Sequence, residues 1–206
     1  MWRRTCGSRR DCVPSAGPAD LLVDLAAAFA ALQVRWYVFG AQAALIWGRP
    51  RFTADVDVTV ALSGHSIPQF LKALGESGFV ARPESTAELT AVSRVLLLEH
   101  RRSTLALDLV LAGPGLEQTF LERAVLVEVA GVAVPFISPE DLIVTKVLAG
   151  RDKDLDDVRG ILSERGATLD HDRIATTLRT IEAALERSDL LQAFEVEHSR
   201  WRHEQR

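Results

Sequence analysis

Two aspartates that alternate with valines are the first residues of this chain whose type and spacing could do chemistry. Asp55 and Asp57 lie in the stretch DVDVTVAL, which has the alternating pattern of a β-strand. Side chains two residues apart in a strand point to the same face, about 6.6 Å from each other, so both carboxylates lie opposite the valines. Aspartate is depleted in strands and like charges on one face repel, so the pair predicts a bound cation.

A third aspartate sits in a second strand-like run. In LALDLVL, Asp108 lies on one face while Leu107 and Leu109 lie on the other. If the two strands are neighbours, three carboxylates converge. Mg²⁺ prefers such oxygen ligands, so we expect Asp55, Asp57 and Asp108 to be metal ligands. Two metals about 4 Å apart would activate a hydroxyl nucleophile and stabilise a leaving phosphate.

The segment FGAQAALIWGRPRFTA, just before the pair, could bind phosphates. Gly40 interrupts a short strand and opens a helix, so the backbone at Gly40 and Ala41 offers N–H groups and a positive dipole end to a triphosphate. Arg49 and Arg51 could contact phosphate oxygens. Surface solvation explains the two arginines equally well, and a D-x-D pair alone is more often a solvated edge strand.

One lysine stands out in the C-terminal third. Lys146 falls in the middle of the apolar stripe of a helix that follows Ser138, between Ile143 and Ala149. A lysine there is unfavourable unless its ammonium reaches water, a carboxylate or a phosphate. The alternative is a lysine whose tip reaches solvent at a domain edge. In the next helix, Asp154 and Asp157 border the apolar face and could hold this lysine or face a cleft.

The segment FGAQAALIWGRPRFTADVDV resembles the core signature of the nucleotidyltransferase superfamily that includes DNA polymerase β. Its small residues and its R-x-T-x-D-x-D ending are most similar to AbiEii-type toxins and their MenT-like mycobacterial relatives. SPEDLIVTKVLAGRDKDLDDV is similar to a second element of the same proteins. The resemblance implies that Lys146 contacts phosphate, that Asp157 is its acidic active-site partner, and that Asp154 is a close second. Many members carry serine where this chain has Ala41.

The remaining patterns predict an α/β (α+β) fold with a mixed β-sheet core and an α-helical C-terminal portion, and the resemblance implies that this is a nucleotidyltransferase core. We expect a mobile N-terminal arm (1–18) that contains Cys6 and Cys12, a catalytic core (19–137) and a helical portion (138–206). Strands are predicted at 36–39, 55–62, 91–100 and 103–113, with a strand pair turning at Gly131. Ser138 and Pro139 predict the start of a helix.

Composition limits the possible functions. The net charge of −4 gives no overall field for nucleic acid, so such a partner would need a local basic patch. No apolar run reaches the roughly 20 residues that span a bilayer, and we expect a cytoplasmic protein without a membrane partner. The histidines lack metal-ligand spacing and are expected to be solvated or incidental: His65, His100, His171, His198 and His203.

These residues favour a magnesium-dependent enzyme that transfers a nucleoside monophosphate from an NTP to an acceptor hydroxyl. The resemblance implies a toxin of a toxin–antitoxin system, with tRNA 3′ ends as one acceptor and an antitoxin as a possible partner. Another RNA, a protein or a small molecule such as an antibiotic remains open as acceptor. One alternative is a degenerate nucleotide-binding or protein-interaction module, which is suggested by Ala41 in place of the usual serine. Another is a metal-dependent phosphohydrolase.

Overall fold

The computed structural model describes residues 16–50, 53 and 55–205. Most of the predicted N-terminal arm, including Cys6 and Cys12, lies outside these residues, and so does Arg51. The helices are α1 (Pro18–Leu32), α2 (Gly40–Trp47), α3 (Ile67–Glu76), α4 (Ala87–Ser93), α5 (Leu116–Arg123), α6 (Pro139–Ala149), α7 (Asp152–Arg165), α8 (His171–Leu185) and α9 (Leu190–Glu204). The strands are β1 (Arg35–Phe39), β2 (Val56–Ala61), β3 (Phe79–Ala81), β4 (Val95–His100), β5 (Leu105–Leu111), β6 (Val125–Val129) and β7 (Val132–Phe136).

The strands form one mixed sheet in the order β3-β4-β5-β2-β1-β7-β6. β2 pairs in parallel with β5 and antiparallel with β1. The predicted antiparallel neighbours β4 and β5 are confirmed, and so is the hairpin of β6 and β7 that turns at Gly131. The predicted mixed sheet with a helical C-terminal portion is therefore correct. No helix in the described part of the chain is long and apolar enough to cross a membrane.

The two faces of the sheet differ as the alternation of β2 predicts. Val58 is fully buried and pairs with Val38 on the face where α1 and α3 lie, and there Phe29 of α1 stacks on Phe70 of α3 with ring centroids 5.9 Å apart. The aspartates lie on the opposite face. α5 covers part of that face, where Phe120 contacts Tyr37, and the rest stays accessible around Asp57.

One predicted strand starts later than expected. Residues 91–93 belong to α4, and β4 begins only at Val95. The hydroxyl of Thr86 accepts a hydrogen bond from the N–H of Leu89 and caps this short helix, while Arg94 ends it in the left-handed conformation with φ 57°. Local capping therefore outweighs the β-branched character of the segment.

The expectation that the histidines are solvated is wrong for His100. Its side chain is only 2% exposed, and its ring nitrogens lie 2.8 Å from Ser103 Oγ and 3.0 Å from Asp24 Oδ2. It therefore ties the end of β4 to α1. His171 and His198 also have a packing role, because their rings stack 4.2 Å apart between α8 and α9.

The C-terminal helices pack on one another and against α2. α7 approaches the end of α2 so closely that a Cβ on Gly48 would lie 3.0 Å from the backbone nitrogen of Ile161. The indole N–H of Trp47 donates to the carbonyl oxygen of Ile137, 2.8 Å away, and so fixes α2 against the segment that leads into α6. These contacts place α6 and α7 beside the aspartate face of the sheet. The division into a core and a helical portion at residue 138 stays a prediction.

We predict that the buried cap of α6 contributes more stability than an exposed cap. Ser138 accepts a hydrogen bond from the N–H of Asp141 at 3.1 Å and donates to its buried carboxylate at 2.8 Å. Ser138→Ala should lower the free energy of unfolding by about 2 kcal/mol, since it removes a cap and a partner of a buried acid. Ser66→Ala, at the exposed start of α3, is the control and should cost about 0.5–1 kcal/mol in denaturant unfolding. Equal losses would contradict the prediction.

Candidate active site

The sheet brings the predicted carboxylates to one region. In the parallel pair of β2 and β5, Asp57 is the direct partner of Asp108, and Asp55 immediately precedes β2. Burial raises the pKa of Asp57, and the charges of Asp108 and Asp55 raise it further. Burial also raises the pKa of Asp108, although Arg82 partly opposes this effect. Partly buried carboxylates that repel one another are the chemistry that a hard divalent cation relieves.

Asp57 packs directly on Gly40. Gly40 has φ +64°, and a Cβ built on it would lie 2.0 Å from Asp57 Oδ2, so the carboxylate occupies the space that any other side chain would need. The backbone N–H of Ala41 faces the same carboxylate and lowers its pKa, against the larger effect of burial. The start of α2 therefore holds Asp57 in place, which is a more specific role than the phosphate contact that the sequence predicts for Gly40 and Ala41.

A pocket of about 340 Å³ opens beside this contact. Its size falls in the range of small-molecule sites. The sheet and α2 contribute Gly40, Ala41, Asp55 and Asp57, while α6, α7 and the turn between them contribute Lys146, Arg151, Lys153 and Asp154. The sheet side thus carries carboxylates, and the helical side carries three cations and one carboxylate, Asp154, that is paired with two of them. This distribution suits a ligand that carries both metal ions and phosphates.

Lys146 is buried and doubly paired. Its side chain is 9% exposed, and its Nζ lies 3.0 Å from Asp154 Oδ1 and 2.7 Å from Asp157 Oδ2. The structure thus explains the lysine on an apolar stripe by carboxylate partners rather than by a tip that reaches solvent. Burial favours a higher pKa for Asp154, but hydrogen bonds from Arg151 and Lys146 outweigh it and lower that pKa. The carboxylate of Asp154 is therefore ionised at neutral pH.

Of the predicted site residues that the structure describes, Arg49, Asp108 and Asp157 do not line the pocket. Arg49 does not line it, because its guanidinium donates to Ser163 Oγ of α7 at 3.0 Å. The carboxylate of Asp108 forms an ion pair with Arg82, which comes from the segment after β3. Within residues 16–50, 53 and 55–205, no three acidic, histidine or cysteine side chains are arranged to hold a metal ion. Asp55 and Asp57 line the pocket with carboxylate oxygens, the ligands that a hard divalent cation prefers, whereas the carboxylate of Asp108 is engaged by Arg82.

Sequence reasoning missed Arg82 and Lys153. Arg82 is 26 residues from Asp108 in sequence and reaches it only because β3, β4 and β5 are adjacent, so no local pattern could reveal it. Lys153 did leave a signal, since it lies in the first turn of α7 beside residues that the sequence had already marked. Its position two residues after Arg151 places both cations at the pocket.

The chain belongs to the family described as "Nucleotidyltransferase of unknown function (DUF6036)", whose model matches residues 23–203. This match confirms the predicted superfamily. No curated protein matches the sequence at a significant level.

Solved structures of nucleotidyltransferases have the same fold. An antigenic nucleotidyltransferase-like protein from Paracoccidioides brasiliensis is similar with a TM-score of 0.55 and 21% identity, over 86% of this chain and 91% of that one. The antibiotic-resistance factor ANT(2'')-Ia in solution is similar with a TM-score of 0.56 and 18% identity, over 82% and 94%. The crystal structure of ANT(2'')-Ia with adenylyl-2''-tobramycin is similar with a TM-score of 0.55 and 15% identity, over 81% of this chain and 98% of that one. At these identities, the similarity establishes the fold.

We predict that Gly40 cannot be replaced without displacing Asp57. Gly40→Ala should lower the free energy of unfolding by at least about 2 kcal/mol, because it adds left-handed backbone strain and a clash with the carboxylate. Gly75→Ala is the control. This helical glycine has open space around it, so its replacement by alanine should raise the free energy of unfolding by up to about 1 kcal/mol.

A double variant separates the strain from the clash. In an Asp57→Ala background the clash with the carboxylate is gone and only the Cβ of residue 57 remains close, 3.0 Å from the added methyl group, so Gly40→Ala should cost mainly the strain, about 1–2 kcal/mol. Denaturant unfolding of the four proteins measures the difference. An equal cost of Gly40→Ala in both backgrounds would show that Asp57 does not depend on the glycine.

The lowered pKa of Asp154 predicts a pH-dependent contribution to stability. Asp154→Asn breaks a buried ion pair, so it should cost about 3 kcal/mol at pH 7. Because the folded-state pKa lies below the ordinary value of 3.8, the contribution is complete above that value and is lost as pH falls through the lower one. The difference between wild type and variant should therefore shrink below pH 3.8.

Unfolding by denaturant at pH 7 and at about pH 3 tests this prediction. Asp156→Asn is the control, because its side chain on the same helix is 70% exposed and its ion pair with Arg159 should contribute less than about 1 kcal/mol. A difference for Asp154→Asn that stays constant or grows in acid would contradict the ionised pairing.

Proposed function

We propose that this protein is a magnesium-dependent nucleotidyltransferase that transfers a nucleoside monophosphate from an NTP to an acceptor hydroxyl. The observation that carries the proposal is the position of Asp57. It is held against Gly40 at the start of α2, lies directly opposite Asp108, and faces a pocket whose other wall carries Lys146, Arg151 and Lys153.

Asp55, Asp57 and Asp108 would hold the divalent cations. When bound, these cations would lower the pKa of the acceptor hydroxyl and neutralise charge on the phosphates. The acceptor oxygen forms a bond to the α-phosphorus, the bond to the pyrophosphate breaks, and pyrophosphate leaves. Asp108 would help to remove the proton of the hydroxyl, since it lies beyond Asp57 on the far side from the basic pocket wall.

Lys146 would contact the triphosphate. An ammonium has three N–H donors, and Asp154 and Asp157 account for two of them. The third would donate to a phosphate oxygen. The two carboxylates thus act as positioning residues, because they fix the lysine at the pocket wall. Arg151 and Lys153 add positive charge there, while Arg49 has no phosphate role in this arrangement.

For the acceptor, we propose the 3′ hydroxyl of an RNA, with tRNA first. The support is the likeness of both sequence elements to AbiEii- and MenT-type toxins, and an antitoxin partner would follow from the same likeness. An antibiotic is the second candidate. Its support is the fold shared with ANT(2'')-Ia, an antibiotic-resistance factor solved with adenylyl-2''-tobramycin. A phosphohydrolase and an inactive nucleotide-binding module are the remaining alternatives.

We predict that nucleotide transfer requires Asp57. The protein is incubated with Mg²⁺, total RNA or tobramycin, and each of ATP, CTP, GTP and UTP labelled at the α-phosphate. Label should appear on RNA, and Asp57→Asn should reduce the rate at least about a hundredfold, because a charge that stabilises the transition state is lost. Asp172→Asn, on the exposed start of α8, should retain the wild-type rate.

Each other outcome selects another function. Label on tobramycin would support the antibiotic acceptor, and labelled NDP or NMP without a labelled acceptor would support hydrolysis. If the NTP affinity measured by titration calorimetry changes neither with Mg²⁺ nor with Asp57→Asn, the result would support the inactive module and contradict an enzyme.

A further inference from the structure

Arg82 reaches the third carboxylate from two strands away. It directly follows β3, and its backbone N–H donates to the carbonyl oxygen of Leu97 in β4 at 2.9 Å. Leu97 is the partner of Asp108 in the pairing of β4 with β5. The side chain of Arg82 therefore extends over β4 and ends with its guanidinium in contact with Asp108 Oδ1.

This ion pair balances charge at the crowded end of the platform. Asp57 and Asp108 are direct partners on adjacent strands, and neighbouring strands lie about 4.8 Å apart, so their charges repel strongly without a nearby cation. The cation of α6 is engaged elsewhere, because Lys146 lies against Asp154 and Asp157. Arg82 supplies the positive charge that directly contacts Asp108.

The contact is also incomplete for an arginine. A guanidinium that binds a carboxylate well uses two parallel N–H bonds, but here one terminal nitrogen contacts one oxygen. Among the described residues, the buried Nε of Arg82 has no hydrogen-bond partner. The two side chains remain 27% and 38% exposed, so water and ions can reach the pair. An ion pair of this kind can be exchanged.

We propose that Arg82 is a positioning residue that occupies the third carboxylate in the metal-free protein and competes with a divalent cation for it. Asp108 joins Asp55 and Asp57 as a ligand only when the cation replaces the guanidinium. This inference rests on the proposed function, because it takes the three aspartates as the metal platform. A purely structural ion pair would instead stabilise the fold equally with and without metal.

The test is the affinity of the full chain for Mn²⁺, measured by titration calorimetry, together with thermal unfolding in EDTA and in saturating Mn²⁺. Arg82→Met keeps the length of the side chain and removes its charge. It should bind Mn²⁺ about tenfold more tightly than wild type, since one charge-assisted hydrogen bond no longer has to be broken. In EDTA it should also unfold at a lower temperature than wild type, and Mn²⁺ should raise its unfolding temperature by more than it raises that of wild type.

Matched variants isolate the pair. Arg82→Lys keeps the charge and should stay near the wild-type affinity. Arg94→Met removes the arginine that ends α4, which pairs with Glu117 rather than with the platform, and should leave the affinity unchanged. In an Asp108→Asn background, Arg82→Met should no longer tighten Mn²⁺ binding. Arg82→Gln serves as a second uncharged variant if Arg82→Met does not fold.

The outcomes separate the two proposals. If wild type binds Mn²⁺ and the uncharged variants bind it equally or more weakly, the competition is refuted while the metal platform stands. If Arg82→Met or Arg82→Gln tightens Mn²⁺ binding even in the Asp108→Asn background, the effect does not depend on Asp108 and the proposal is also refuted. If no variant binds Mn²⁺, the metal platform of the proposed function fails and the role of Arg82 fails with it.

Discussion

The contact between Asp57 and Gly40 is the constraint on which the site depends. A carboxylate can lie on the Cα of residue 40 only if that residue has no side chain, and the backbone can turn there with φ +64° at little cost only for the same reason. The register of β1 and β2, in which Phe39 is the partner of Asp57, brings the two residues together. The amide of Ala41 favours the charged form of the carboxylate. One glycine thus links strand pairing, the start of α2 and the orientation of a proposed metal ligand.

The opposite wall of the pocket is built by a second glycine. Gly150 ends α6 in the left-handed conformation, with φ +65°, and its N–H donates to the carbonyl oxygen of Lys146 at 3.0 Å. The chain turns there so sharply that the first turns of α7 return to α6, and Asp154 and Asp157 meet the lysine. Burial of such charges is costly, and it persists where the charges are matched in number and geometry. A buried, fixed ammonium is a better phosphate contact than a mobile surface lysine, because less conformational freedom is lost on binding.

Patterns local in sequence revealed most of the fold and about half of the residues that line the candidate pocket. The alternation of DVDVTVAL and LALDLVL identified both aspartate-bearing strands and their faces, and the cap at Ser138 identified α6, since these signals are contained in a few consecutive residues. The hydrophobic pattern also marked Lys146 as anomalous. It could not choose between solvent, a carboxylate and a phosphate, because that depends on the angle between α6 and α7.

Contacts between distant residues escaped prediction for the same reason. Arg49 looked suited to phosphate from its place before the aspartates, but the close approach of α2 and α7 at Gly48 directs it to Ser163. Arg82 had no signal at all, since its role depends on the order of β3, β4 and β5. The β-rich pattern wrongly extends a strand over residues 91–93, the end of α4, because the threonine that caps this helix, Thr86, lies outside the run.

The sheet order also gives the platform two distinct sides. Asp55 and Asp57 face the pocket formed with α6 and α7, whereas Asp108 faces Arg82 across β4, in the opposite direction along the sheet. In-line phosphoryl transfer requires the attacking oxygen and the leaving group to lie on opposite sides of phosphorus. Under the proposed function, the basic wall near Lys146 is therefore the side of the leaving pyrophosphate, and the region of Asp108 is the side of the acceptor. An arginine on the acceptor side is then well placed to couple metal occupancy to the one carboxylate that must meet the nucleophile.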